Sequence, residues 1–208
     1  MSLDLGGFFM NRINIIIADD HHLFRRSTVE LLEASSSEIN FIAEAENGLE
    51  ATILSAQLTP DVVLMDLSMP TMDGLEATHK IKQEMPRVKI VIFSAINDYR
   101  SIYQALCAGA DAYLSKNLPS GEVVAVIKEV FLEQIPFNRV MANAITSMDE
   151  QGMQDFKESK ILIEHPEDQE LVDLIKLGMN YGEIAKELSL SETKVKEDFQ
   201  RILQSIRS

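Results

Sequence analysis

Between residue 13 and about residue 133, short β-branched runs alternate with longer helix-spaced segments. The runs Ile13–Ala18, Phe41–Ala45, Val62–Met65, Lys89–Phe93 and Ala112–Leu114 are rich in Val, Ile, Leu or Phe, and polar residues follow several of them directly, as in buried strands. Between them, residues such as Leu23-Ser27-Leu31 and Leu49-Ile53-Ala56 recur at helical intervals, and Gly48, Gly74, Gly109 and Pro60 punctuate the joins. Five strand–helix units predict an α/β domain with a five-stranded, parallel, doubly wound sheet. In that architecture chemistry collects beyond the carboxyl ends of the strands.

Past residue 134 the pattern changes. Residues 135–160 are mixed and weakly periodic, with Pro136, Gly152 and a polar Ser147–Gln151 stretch, and read as a linker carrying one helix near Arg139–Ser147. Three helical stretches follow, Glu167–Leu177, Tyr181–Leu188 and Glu192–Ile206, joined by Gly178-Met179-Asn180 and Ser189-Leu190-Ser191. The expected organisation is an α/β domain over residues 11–134, a linker over 135–160 and a small all-α domain over 161–208.

Composition narrows the function classes. With 46% hydrophobic and 25% charged residues in 208, the chain is an ordinary globular one. Its single cysteine, Cys107, excludes an internal disulfide framework and a multi-cysteine zinc site, and fits a reducing compartment. Cys107 lies in a helical stretch and reads as a small packing residue. No apolar run is long enough to span a bilayer, and the opening MSLDLGGFFMNR lacks the pattern of a signal peptide. It reads as a short leader with Met10 a candidate start, and the expected location is the cytoplasm. The net charge of −14 sets a further constraint. Residues 11–140 hold 11 basic against 18 acidic side chains, and residues 161–208 hold 6 against 10. Neither segment offers the basic balance that attracts a nucleic-acid backbone.

The strand ends carry the chemistry. Asp19 and Asp20 close the first strand, Asp66 the third and Ser94 the fourth, and Lys116 follows the fifth. Carboxylates gathered in one crevice repel, and a divalent cation relieves that; an all-oxygen donor set suits Mg²⁺. Asp66 is then placed to act as a carboxylate nucleophile toward a phosphoryl group, with Lys116 as opposing charge and Ser94 as hydroxyl donor. Taken singly, each has a plainer reading: an Asp pair caps a helix, a lysine is solvated, a serine lies in a loop, Tyr113 packs in the core or its rim. His21 and His22 beside the acidic pair suggest a transition metal, but no further His or Cys stands at ligand spacing.

These residues resemble the receiver domain of two-component response regulators. The matching pieces are Ala18-Asp19-Asp20, the segment Val62 to Gly74 with Asp66, Ser68, Met69-Pro70 and Asp73-Gly74, then Phe93-Ser94-Ala95 and Tyr113-Leu114-Ser115-Lys116. The resemblance implies the flavodoxin-like receiver fold, Asp66 as acceptor of phosphate from a sensor histidine kinase, and Mg²⁺ held by Asp19, Asp20, Asp66 and the Ser68 backbone carbonyl. Ser94 and Tyr113 match the hydroxyl and aromatic switch positions, and the Tyr113 ring is expected to turn inward on activation.

The tail from Gly178 to Leu203 resembles the LuxR-type helix-turn-helix of NarL/FixJ response regulators. Ala185 is small at a helix crossing, Ser191 is placed to cap the last helix, and Val195 and Ile202 face inward. The resemblance implies phosphorylation-dependent DNA binding, with Lys194, Lys196 and Arg201 as contacts, and homodimers on phosphorylation. Three features depart from the pattern. Glu164-His165-Pro166-Glu167-Asp168 stands where the family has Leu-Thr-x-Arg-Glu; Glu197 and Asp198 put acid on the recognition helix; and the chain stops at Ser208, where a fourth helix is expected. The competing reading is a receiver whose helical tail docks another protein without binding DNA. A third makes the tail a packed helical cap. An enzyme with a diffusible substrate is not expected, because no substrate motif accompanies the acidic crevice.

Overall fold

The computed structural model describes residues 12–132 and 166–207, together with Met141, Ala142 and Ala144. The expected linker helix near Arg139–Ser147 falls mostly outside these residues. Five strands, β1 (Ile13–Ala18), β2 (Ile39–Ala45), β3 (Val62–Met65), β4 (Lys89–Ser94) and β5 (Ala112–Ser115), alternate with helices α1 (His22–Ser35), α2 (Gly48–Leu58), α3 (Gly74–Glu84), α4 (Tyr99–Cys107) and α5 (Ser120–Phe131). All pairings are parallel, in the order β2-β1-β3-β4-β5. The order reverses direction at β1/β3, so the loops after these two strands flank a crevice at the carboxyl edge. β2 begins two residues earlier than the sequence pattern gives, because Ile39 pairs with Ile13 across a polar Asn40–Asn14 rung.

Alternation along the strands sorts the sheet into two packed faces. Ile13, Ile15, Ile17, Leu64, Val91, Phe93 and Leu114 bury against α1 and α5, while Ile16, Val63, Met65, Ile90, Ile92 and Tyr113 bury on the other side. The helical spacings Leu23-Ser27-Leu31 and Leu49-Ile53-Ala56 do mark helices, yet these residues face outward: Leu23 is 81% exposed and Ile53 48%. The inward stripes are Arg25, Thr28 and Leu32 on α1, and Gly48, Ala51, Thr52 and Ser55 on α2. The reason is room. α2 approaches the β3–α3 loop so closely that a Cβ on Gly48 would lie 2.7 Å from the Met72 carbonyl oxygen. Only small side chains fit, and their hydroxyls are satisfied within the helix, Thr52 on Gly48 O and Ser55 on Ala51 O.

Three further helices, α6 (Pro166–Lys176), α7 (Tyr181–Glu187) and α8 (Glu192–Arg207), form the C-terminal unit. Asn180 and Glu183 close a reciprocal capping box at the start of α7, and Ser191 Oγ accepts from the Lys194 amide in the first turn of α8. Leu171, Val172, Ile184, Val195, Phe199, Ile202 and Ile206 build the interior, with Tyr181 tilted against Phe199 at 5.5 Å. This apolar cluster continues without a break into Ile102, Tyr103 and Leu106 of α4. At that junction the Arg207 guanidinium donates to the carbonyls of Leu106 at 3.4 Å and Ala110 at 2.5 Å. Among the described residues no helix is long and apolar enough to cross a membrane.

Candidate functional site: the acidic crevice and the terminal helix

Asp19 leaves the end of β1 with its carboxylate 2% exposed, and the adjacent Asp20 stays open to solvent. Asp19 Oδ1 accepts from the His21 amide at 2.8 Å. One step along the sheet, Asp66 is 6% exposed and accepts from the Leu67 amide at 2.8 Å. Lys116, just past β5, places its Nζ 2.7 Å from Asp19 Oδ2 and 2.7 Å from Asp66 Oδ2. Burial opposes the charge on this ammonium, but hydrogen bonds and attraction from Asp19 and Asp66 outweigh that and hold its pKa above the ordinary lysine value.

Ser94 is 1% exposed at the end of β4, beside the Lys116 strand: the Lys116 amide donates to the Ser94 carbonyl at 3.0 Å. Tyr113 is buried, in keeping with its plainer reading as a residue of the core or its rim. Its ring is 1% exposed and its hydroxyl donates to the Ile96 carbonyl at 2.5 Å. Burial foremost, with the charges of Asp98 and Asp66, pushes its phenol well above the ordinary range. Ser68 lies exposed in the loop after β3. The structure therefore brings Asp19, Asp66 and Lys116 into direct contact, with Asp20 beside them and Ser94 and Tyr113 on the next strands.

Ligand atoms of Asp19, Asp20 and His21 lie within 4.8 Å of one another. The carboxylates are a hard oxygen set of the kind that Mg²⁺ prefers, whereas the His21 ring is exposed and hydrogen bonded to Asp20 at 3.3 Å. Two residues that sequence reasoning missed shape the crevice. Arg25, 3% exposed, donates to the Asp19 carbonyl at 2.5 Å and to Glu44 at 2.8 Å, fixing the β1–α1 loop from beneath. The sequence pattern carried no signal for it, because the helical spacing Leu23-Ser27-Leu31 marks the opposite, exposed face of α1. The second is Phe24, whose ring lies 4.6 Å from Lys116 Nζ.

This crevice has counterparts in known proteins. Residues 15–128 match the response regulator receiver domain family. Over 93% of its length the chain is 32% identical to the uncharacterized transcriptional regulatory protein YhcZ of Bacillus subtilis, of which it covers 89%. The chain is a response regulator of the NarL/LuxR family. A second relative, the nitrate/nitrite response regulator protein NarL of Escherichia coli, is 27% identical over 93% of this chain and 88% of its own. The solved complex of the response regulator RcsB with DNA shares the fold, with a TM-score of 0.61 at 20% identity over 95% of this chain and 93% of that one.

In this response regulator the basic residues of α8 are engaged. Lys194 Nζ and Arg201 Nη1 each lie 2.7 Å from Asp198 Oδ1, and Arg201 Nη2 also bonds Asp168. Asp198 is thereby turned inward and buried, and Glu197 is the acid that α8 presents to solvent in mid-helix. Lys196 stacks over the Tyr181 ring at 5.9 Å, and its charge reaches Glu129 of α5. Asp168, in the segment where the family pattern is lost, supplies the anchor for Arg201.

Proposed function

We propose that Asp66 is the side chain through which this response regulator receives its phosphoryl group, and that the modification governs contact between the C-terminal helical unit and DNA. Phosphorylation-dependent control of transcription is the function of the family; the reading adds the residues that perform it. One observation carries it: the Lys116 ammonium bridges Asp19 and Asp66 at the carboxyl edge of the sheet.

In the reaction a carboxylate oxygen of Asp66 attacks the phosphorus of a phosphohistidine on a cognate sensor kinase. A P–O bond forms, the P–N bond breaks, and the histidine nitrogen leaves with the electron pair. Lys116 opposes the charge on the incoming phosphoryl oxygens, and Ser94 supplies a hydroxyl donor at the neighbouring strand end. Asp19 and Asp20 with Asp66, completed by the Ser68 carbonyl, would hold Mg²⁺, whose charge when bound offsets that of the carboxylates and the phosphoryl group. The chain thus changes one of its own side chains and does not turn over a diffusible substrate.

The output follows from where the charge lands. A phosphoryl group adds roughly 1.5–2 negative charges at Asp66. Lys116 and Ser94 shift toward it, the loop that holds Tyr113 through Ile96 follows, and α4 begins in that loop. α4 is the helix on which α8 rests, so its displacement releases the C-terminal helical unit toward DNA, where Lys194, Lys196 and Arg201 would exchange their partners within that unit for phosphates, with modified chains pairing as homodimers. The protein-docking alternative is not favoured, because the likeness to a transcriptional regulatory protein runs through the tail as well as the receiver.

The test is intact mass and fragment capture with acetyl phosphate and MgCl₂. The wild type is expected to gain one phosphoryl group and enrich a few host DNA fragments, and Asp66→Asn to do neither. Phosphorylation of Asp66→Asn, or none of the wild type, overturns the assignment.

A further inference from the structure

Lys116 is held by more than its two carboxylates. The ring of Phe24, in the first turn of α1, forms a third wall of its pocket, with the ammonium 4.6 Å from the ring centroid. Phe24 is half-buried and is itself backed by Phe93, whose ring is 5.8 Å away and tilted by 35°. Phe93 directly precedes Ser94. The next residue on α1, Arg25, clamps the Asp19 carbonyl, so the turn that carries Phe24 is fixed relative to the acidic crevice.

The three walls differ in what phosphorylation does to them. A carboxylate attracts an ammonium from any direction, and a lysine stem rotates about four bonds. Once Asp66 becomes an acyl phosphate, one of its oxygens is esterified and its hold on Lys116 changes. The face of an aromatic ring attracts a cation along one direction and is untouched by the reaction. We propose that Phe24 is a positioning residue for Lys116, aiming its ammonium into the crevice before and during phosphoryl transfer. The inference rests on Asp66 being the acceptor.

The experiment follows Asp66 phosphorylation of the full chain by acetyl phosphate with MgCl₂, read by intact mass across donor concentrations. Phe24→Leu, which keeps the bulk and loses the ring face, is expected to lower the maximal rate about 5- to 10-fold, the range of a desolvated cation–ring contact, with little change in the half-saturating donor concentration. Phe24→Tyr keeps the ring and is expected within about twofold of wild type. In a Lys116→Met background, Phe24→Leu is expected to slow nothing further. The same cycle on urea-unfolding midpoints needs no turnover, and there the two losses are expected to be less than additive.

A Phe24→Leu variant as fast as wild type overturns the proposal. So does an equal rate loss with and without Lys116, or strict additivity in the unfolding cycle, since either leaves Phe24 as packing alone. These results stand apart from failure of the acceptor assignment, in which the wild type takes up no phosphoryl group and both readings fall.

Discussion

Gly74 opens α3 directly against Asp66: a Cβ at this position would stand 1.9 Å from the Asp66 carbonyl oxygen. Two further backbone atoms, Asp66 C and Leu67 Cα, lie 2.9 Å from the same point, so no side-chain rotation relieves the clash. Substitution Gly74→Ala is expected to cost about 3 kcal/mol in urea unfolding and to slow phosphoryl uptake, because the backbone that presents the carboxylate must move. An unchanged midpoint would contradict this packing.

Tyr113 makes the alkaline limb of the stability curve diagnostic. Its phenol is raised above the ordinary value of 10.0 in the folded protein, so the native state keeps a proton that the unfolded chain releases. The linkage sign is negative: stability is full below about pH 10 and falls as pH rises through the window up to the folded pKa. A Tyr113→Phe variant is expected to lose less stability than wild type between pH 9 and pH 12. Parallel pH profiles of the two would rule out the shift.

Asp198 neutralises two cations on α8, the helix proposed to meet DNA. Both partners are roughly half exposed, so the ion pairs contribute at most about 1 kcal/mol, and Asp198→Asn is expected to fold normally. It frees Lys194, while Asp168 still holds Arg201. Binding to unrelated DNA is expected to tighten and its salt dependence to steepen by about one phosphate contact. A salt slope equal to that of wild type would mean that Lys194 does not face the backbone.

Arg207 ties the last turn of α8 to the end of α4. Arg207→Ala leaves the Leu106 and Ala110 carbonyls without this donor, at a cost of about 1.5–3 kcal/mol for hydrogen bonds from a charged group. Faster amide exchange in α4 and α8, together with DNA binding by the unmodified protein, is the expected outcome. Exchange rates equal to wild type would show that the apolar contact alone holds the two helices.

The sheet was legible because buried parallel strands are short, continuous and β-branched, and each ends where polar residues begin. Asp19, Asp66, Ser94 and Lys116 could be placed together because that architecture forces strand ends onto one edge. The faces of α1 and α2 were not legible. Leucines such as Leu23 signal helix by spacing but do not say which side the sheet lies on, and close approach demanded Thr52 and Ser55 there instead. Arg25 and Phe24 escaped notice because their roles depend on partners far along the chain, Glu44 and Lys116. The charge count of the tail misjudged Asp198, since a sum over residues cannot tell an acid that faces solvent from one folded beneath its own cations.

The hydrocarbon seam shared by α4 and α8 also makes this switch a thermometer. Parting Leu106 from the interior that holds Ile206 wets apolar surface, and the penalty for doing so shrinks on cooling. The closed arrangement is therefore weakest in the cold, and on the proposed switch the share of unmodified molecules with the two helices parted is larger at low growth temperature than at high.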